Sequence, residues 1–348
     1  MGFELNDYDN CVANKMINGK QCTNVWHVDD LKISHVDENV VTEILKKLDD
    51  RYGSEETPLS VQRGKIHDYL GMTLDYSVPG KVTIRMEKYV DKMIEELPED
   101  MIGEVMTPAA EHLFDINESP MYLDDDAAEF FHHMTAKALF LAKRARPDIQ
   151  TAVSFLCTRV KKPDEDDYKK LARLMKYLQG TKGMSLTIEP ENLQVVKWWV
   201  DASYAVHHDM KSHTGGFMSM GKGTMYGTST KQKLNTKSST EAELVGVDDC
   251  MPQILWTRYF LMQQGYNVEN KLMQDNQSAI KLEQNGKASS GKRTRHINIR
   301  YFFVKDRIER KELFVEYCPT EDMIADYFTK PLQGALFRKF RKMILNHD

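Results

Sequence analysis

Trp198-Trp199-Val200-Asp201-Ala202-Ser203-Tyr204-Ala205 is the stretch that decides how this chain is read. With Val195 and Val196 before it the run is short, apolar and β-rich, and Asp201 stands where the strand should end. A carboxylate at the end of a buried strand is costly unless a cation offsets its desolvation. Three more acids stand where elements begin or end. They are Glu243 in Ser-Ser-Thr-Glu-Ala-Glu-Leu, Asp275 in Leu-Met-Gln-Asp-Asn-Gln-Ser-Ala and Asp326 in Met-Ile-Ala-Asp-Tyr-Phe-Thr-Lys. Four carboxylates from four elements, brought to one point, make an all-oxygen site suited to Mg²⁺.

Around that stretch lie 348 residues, enough for two or three domains with their own cores. Hydrophobic content of 41% and charged content of 28% are ordinary for a soluble globular protein. No apolar run approaches a membrane span, and the first residues are polar and acidic rather than signal-like, so no membrane partner is expected. Five scattered cysteines (Cys11, Cys22, Cys157, Cys250, Cys318) include no Cys-x-x-Cys and no matching His pair. They indicate neither a disulfide frame nor a zinc site, and fit a reducing, intracellular compartment. The net charge of −5 divides unevenly. From Val195 onward 23 Lys and Arg stand against 17 Asp and Glu, a net of +6, while residues 1–194 carry 24 against 35, a net of −11. A basic binding module joined to an acidic body shows this pattern.

Working back towards the start, residues 1–24 are polar and short of periodicity. Asn-Val-Trp-His-Val-Asp-Asp-Leu-Lys-Ile-Ser-His (24–35) then reads as a hairpin with Asp29 and Asp30 at its tip. Val40, Val41, Ile44, Leu45 and Leu48 have helical spacing, ended by Tyr52-Gly53. Residues 67–86 read as two strands joined at Pro79-Gly80, with Leu70-Gly71-Met72 inside the first, and Glu87–Leu97 as a short helix stopped by Pro98. Residues 124–180 look all-helical, with Asp148 as the cap of the second helix and Pro163-Asp164 starting the third. His132 and His133 are adjacent on a helix, point apart, and suggest no metal site. Residues 181–194, with Gly183, Pro190 and polar residues, read as the domain boundary.

Downstream of Asp201, Thr214–Met220 and Thr224–Thr230 form a hairpin pair joined by Gly221-Lys222-Gly223. A long helix runs from Thr240 to Gln264, followed by a strand at Asn270–Gln274, a helix at Asn276–Gln284, a strand at Leu313–Tyr317 and a helix from about Asp322. Between Gly286 and Lys311 stand Lys287, Lys292, Arg293, Arg295, Arg300, Lys305, Arg307, Arg310 and Lys311, interleaved with His296, Tyr301, Phe302 and Phe303. Such a stretch can neutralise several phosphates, with its aromatics inward and its Lys and Arg outward.

The order strand–Asp, hairpins, helix–Glu, strand–Asp, helix, strand, helix–Asp resembles a ribonuclease H domain. The motif wording is closer still to the Pol polyprotein of copia-type LTR retrotransposons: Val-Asp-Ala-Ser-Tyr-Ala (200–205), Thr-Gly-Gly-Phe (214–217), Ser-Ser-Thr-Glu-Ala-Glu (238–243), Gln-Asp-Asn-Gln-Ser-Ala (274–279), Arg-His-Ile-Asn-Ile-Arg-Tyr (295–301) and Ala-Asp-Tyr-Phe-Thr-Lys-Pro-Leu (325–332). The resemblance spans about residues 20 to 345. It implies a truncated reverse-transcriptase palm and start of thumb over 1–110, a helical thumb and connection region over 111–194, a ribonuclease-H-like domain over 195–335 and a basic tail over 336–348. The implied fold is α/β and α+β, the last domain having a mixed five-stranded sheet flanked by helices.

The same resemblance implies an activity and its parts. Asp201, Glu243, Asp275 and Asp326 become catalytic ligands of two Mg²⁺ ions, replaceable by Mn²⁺, that cleave RNA in an RNA–DNA hybrid. Glu243 rather than Glu241 is the helix acid, because the family's acid is followed by an apolar and a small residue; Glu241 then serves the helix N-terminus. Asp29 and Asp30 match the metal-binding pair of a polymerase hairpin, with His27 in place of the family's tyrosine. Only 28 residues precede Asp29 and none supplies a further matching aspartate, so complete polymerase activity is not expected. Ser238, Ser239, Asn276 and Gln277 are placed to meet 2′-hydroxyls, and Lys292, Arg293, Arg295, His296 and Arg300 to meet phosphates. Cys-Pro-Thr-Glu-Asp (318–322) lacks the loop histidine of many ribonucleases H. The implied partners are an RNA–DNA hybrid and either the rest of the Pol polyprotein or a second Pol chain. The implied location is cytoplasmic, in a virus-like particle, with nuclear passage. Rival readings are a non-catalytic nucleic-acid-binding or relict fragment, and an integrase or transposase, against which the Ser-Ser-Thr-Glu-Ala-Glu wording argues.

Overall fold

The computed structural model describes residues 1–54, 56–285 and 298–347. The first 34 residues form an antiparallel meander of four strands, β1 (Glu4–Asn6), β2 (Asp9–Ile17), β3 (Lys20–His27) and β4 (Asp30–Ser34). The stretch before Asn24, expected to lack periodicity, therefore carries strands. The meander buries little beyond Asn6, Val12, Ala13 and Cys22, so its apolar face is too thin to show as alternation. The expected hairpin at 24–35 is present, with His27 opposite Asp30. Helix α1 (Glu38–Tyr52) starts at Asp37, whose side chain accepts from the Asn39 N–H at 2.9 Å, and it packs Val40 and Ile44 on Cys22.

Three strands follow rather than two: β5 (Ile66–Tyr69), β6 (Met72–Asp75) and β7 (Val82–Arg85). Leu70 and Gly71, expected inside a strand, are the two-residue turn between β5 and β6, both with positive φ (51° and 78°). After α2 (Glu87–Glu95) come the expected helices α3 (Asp125–Ala142), α4 (Gln150–Cys157) and α5 (Glu165–Gly180). Asp164 starts α5 in a reciprocal capping box with Asp167. Asp148, expected as a cap, is not one. It lies in a 3-10 turn before α4, buried, and accepts from Arg146 Nε and Nη2 at 2.8 Å each.

The segment expected as a domain boundary, 181–194, contains β8 (Leu186–Pro190), which pairs with β7. The rest comprises β9 (Val195–Ser203), β10 (His213–Ser219), β11 (Gly221–Lys222), β12 (Tyr226–Lys231), α6 (Ser239–Gln263), β13 (Glu269–Gln274), α7 (Gln277–Asn285), α8 (Asn298–Glu309), β14 (Phe314–Tyr317), α9 (Asp326–Thr329) and α10 (Gly334–Leu345). Strand β11 pairs with the outer edge of β8, so one sheet draws on three separate parts of the chain.

The main sheet runs β12-β10-β9-β13-β14, antiparallel among its first three strands and parallel among its last three. It is the expected mixed five-stranded sheet with helices on its faces. Alternation along β9 explains both coverings. Val196, Trp198 and Val200 pack on Val247, Cys250, Met251 and Ile254 of α6. Trp199 goes to the other face, with Phe217 and Phe328 and the core of α3, α4 and α5. Residues 336–348, expected as a basic tail, are instead mostly α10, which buries Phe337, Phe340 and Ile344 in that same core.

Candidate metal centre

Asp201 sits two residues before the end of β9, only 3% exposed, opposite Gly215 of β10. A Cβ on Gly215 would stand 2.6 Å from Thr329 Cγ2 and 2.8 Å from the Ala325 carbonyl oxygen. The missing side chain is therefore what lets α9 lie directly on the strand. That contact delivers three groups to Asp201. Thr329 Oγ1 donates to Asp201 Oδ2, the Asp326 carboxyl hydrogen-bonds the Asp201 carboxyl, and Lys330 Nζ lies 2.6 Å from Asp326 Oδ1 and 3.5 Å from Asp201 Oδ2.

The two glutamates of α6 go different ways. Ser238 is the N-cap, its Oγ accepting from the Glu241 N–H at 3.2 Å, while Glu241 Oε2 accepts from the Lys237 N–H at 2.8 Å. Glu241 thus serves the helix start. Glu243, two positions on, turns to the sheet, where it accepts from the Ala202 backbone and, at 3.5 Å, from Gln274 Nε2. Asp275 follows the last residue of β13, and its Oδ2 accepts from Thr320 Oγ1 at 3.2 Å. One carboxylate oxygen from each of Asp201, Glu243 and Asp275 lies within 4.8 Å of the others. Asp326 stands outside that tight group and joins it through Asp201.

The electrostatics follow from burial and crowding. Burial, then the neighbouring Asp201 and Asp275, raise the Glu243 pKa well above the usual carboxylate range. Burial and Asp201 likewise raise Asp275, and push Asp326 up to about 7. Burial opposes the charge on Lys330, but Asp201 and Asp326 outweigh it and raise its pKa. Among the described residues no Lys or Arg forms an ion pair with Glu243 or Asp275. Three crowded oxygen donors, of which only Asp201 has an ion-pair partner, fit a hard divalent ion.

Other expected site residues are placed less simply. Asp29 and Asp30 are exposed at the β3–β4 turn and belong to no group of three or more metal-ligating side chains among the described residues. Ser239 and Gln277 are exposed. Ser238 and Asn276 are helix caps, Asn276 Oδ1 accepting from the N–H groups of Ser278 (3.0 Å) and Ala279 (3.1 Å). Lys292, Arg293, Arg295 and His296 lie outside the described residues, as does the side chain of Arg300. Further along α8 Val304 and Ile308 face inward, whereas Phe302 and Phe303 are exposed, contrary to expectation. Lys305, Arg307 and Arg310 pair with Glu309, Glu312 and Asp306 at 3.4, 3.0 and 3.1 Å. Their charge is thus partly spent within the chain. Sequence reading missed Gly215, Thr329, Lys330 and Gln274. The signal for Lys330 was its position four residues after Asp326, one helical turn away.

No family model matches the chain. It is 24% identical over 329 residues, 92% of its length, to a retrovirus-related Pol polyprotein from transposon TNT 1-94 of Nicotiana tabacum, and 26% identical over 321 residues to that from transposon RE1 of Arabidopsis thaliana. A putative transposon Ty5-1 protein of Saccharomyces cerevisiae is 25% identical over 63% of the chain and 72% of its own length. The chain spans 24% and 21% of the length of the two plant relatives. Among solved structures it resembles LC11-RNase H1 isolated from compost (TM-score 0.31, 13% identity, 39% of this chain and 92% of that one). It also resembles the foamy viral protease-reverse transcriptase in complex with dsDNA (TM-score 0.47, 12% identity, 85% and 55%). Over about nine-tenths of its length, then, this chain is a relative of retrotransposon Pol polyproteins.

Proposed function

We propose that the chain is a divalent-metal-dependent nuclease that cuts the RNA strand of an RNA–DNA hybrid. The observation that carries this reading is the meeting of Asp201, Glu243 and Asp275, with Asp326 against Asp201, in a relative of Pol polyproteins. Bound Mg²⁺ supplies an activated water and stabilises charge at the departing oxygen. Asp201, Glu243 and Asp275 would hold one ion, and Asp201 with Asp326 a second. Thr329 fixes the rotamer of Asp201 by its hydrogen bond, and the Ala202 N–H does the same for Glu243. Ser239 and Gln277, exposed next to the acids, meet 2′-hydroxyls, and Ser238 and Asn276 add the polar atoms that capping leaves over. Lys292, Arg293, Arg295, His296 and Arg300 hold phosphates in this reading. No polymerase step is assigned to Asp29 and Asp30.

The test uses end-labelled RNA–DNA hybrid, single-stranded RNA and DNA duplex of one sequence, each with Mg²⁺ and with a chelator. Cleavage confined to the RNA of the hybrid, and to Mg²⁺, is the expected result. An intact hybrid with Mg²⁺ under conditions where the chain is folded sinks the proposal.

A further inference from the structure

The acids are not neutralised evenly. Lys330 places one ammonium between Asp326 and Asp201, at 2.6 and 3.5 Å. Among the described residues no ion pair reaches Glu243 or Asp275, and the Lys330 charge acts on Asp275 only at longer range. The arrangement is built rather than incidental. Gly215 admits α9 to the strand, Thr329 Oγ1 ties the same Asp201 oxygen that faces the ammonium, and the Lys330 backbone N–H closes the helix on the Asp326 carbonyl at 2.9 Å. The Lys330 side chain is 42% exposed, so its head can swing into water while its stem stays in place.

We propose that Lys330 is the resident cation of the Asp201–Asp326 pair and makes the two ion positions of the cluster unequal. The position among Asp201, Glu243 and Asp275 is open to a divalent ion, whereas the position between Asp201 and Asp326 is entered only as the ammonium leaves. This rests on the reading of the cluster as a divalent-ion site. The physical reason is competition. An ammonium and a divalent ion between the same two carboxylates repel each other, and repulsion between unit charges at contact distance is on the order of several kcal/mol at a protein surface. Lys330 acts here as a positioning residue, setting the order of ion uptake and keeping Asp201 and Asp326 together before the second ion arrives.

The experiment counts Mn²⁺ bound to the full chain by titration calorimetry and by the loss of the free-ion paramagnetic resonance signal. In the wild-type chain the second ion is expected to bind at least roughly tenfold more weakly than the first. Lys330→Gln is expected to tighten the second dissociation constant by about tenfold or more, and the first by a smaller factor. A second measurement needs no variant: acylation of Lys330, followed by mass spectrometry, should rise several-fold over the concentration range of the second ion. Unchanged second-ion affinity in a folded Lys330→Gln chain overturns the proposal, as does acylation indifferent to Mn²⁺. If folded wild-type chain binds one ion or more and either of these holds, the inference alone falls. If it binds none, the divalent-ion reading falls with it.

Discussion

Glu243 separates chemistry from architecture at the scale of single residues. It shares its helix turn with Glu241, has the same side chain, and differs in what it faces. Glu243→Gln keeps the size and much of the hydrogen bonding but removes the charge. Hybrid cleavage is expected to fall by a factor on the order of a hundred or more, with folding intact. Glu241→Gln weakens the acceptor for the Lys237 N–H, costing stability of about 0.5–1 kcal/mol and little rate. Single-turnover cleavage and urea denaturation, run on both variants, distinguish the two; equal rate losses would contradict the assignment. The four acids were legible because each stands in a local motif beside a turn or strand end. Thr329 and Lys330 stood in one of those same motifs, yet their work is defined by an oxygen 128 or more residues away, which local pattern does not encode.

Elements show why a site of this kind tolerates so little change in packing. Gly215→Ala adds a Cβ 2.6 Å from Thr329 and 2.8 Å from a backbone oxygen, so α9 must lift off β10. Overpacking of this kind costs about 1–3 kcal/mol, and Asp326 should move with the helix; calorimetric Mn²⁺ titration should show weaker binding than in the wild-type chain. The start of β10 carries a second feature. His213 is buried between His207 (3.0 Å) and Ser229 (2.7 Å), beside Phe114. Burial, with the cations Lys231 and Lys211, lowers His207 to about 4, and burial, with His207 beside it, lowers His213 to about 3. The unfolded chain takes up their protons near pH 6.5, and the folded chain only well below it. Their contribution is therefore complete above pH 6.5 and lost as pH falls towards 4, at up to about 1.4 kcal/mol per pH unit for each histidine. Glu243 and Asp326, with raised pKa values, act in the opposite direction, so the slope is isolated by comparing stability–pH curves of wild type and His213→Gln; identical slopes between pH 4 and 6.5 would refute it. The helices α3 to α6 were readable from their period, and α5 also from its cap Asp164. Strands β1 and β2 were not, because a meander with one thin buried face has no strong period. Helix α10 was misread through its charges, although Phe337, Phe340 and Ile344 share one helical face.

For the molecule as a whole, a buried polar network ties the two halves together within their shared apolar core. Arg146 grips Asp148, Tyr177 Oη donates to Asp148 Oδ2 at 2.7 Å, and Tyr327 Oη donates to the Asp148 carbonyl at 3.0 Å. Tyr327 adjoins Asp326, so the helical region buttresses the metal centre from behind. Asp148→Asn leaves the Arg146 charge buried with half a partner, and a loss of about 3–5 kcal/mol is expected in urea denaturation. Stabilisation by Mg²⁺ should weaken alongside it. An unchanged midpoint would show that the pair carries no such load. At the other end of α6, Trp256 Nε1 donates to the Tyr8 carbonyl at 2.9 Å and Tyr259 stacks on Tyr8, seating the N-terminal meander. None of these long-range partners can be read from spacing, since each joins residues from distant segments whose own surroundings look ordinary.

The sheet shared by β7, β8 and β11 has a consequence for exchange between elements of this kind. A chimaera spliced between Gly180 and Val195 on either side of β8 would set one parent's β8 against the other's β7 or β11, mismatching one of its two registers. It would also set one parent's α9 and α10 against the other's α3 to α5. Crossovers that replace both flanks together keep every pairing with its own partner. The two halves should therefore be inherited, and engineered, as a single cassette.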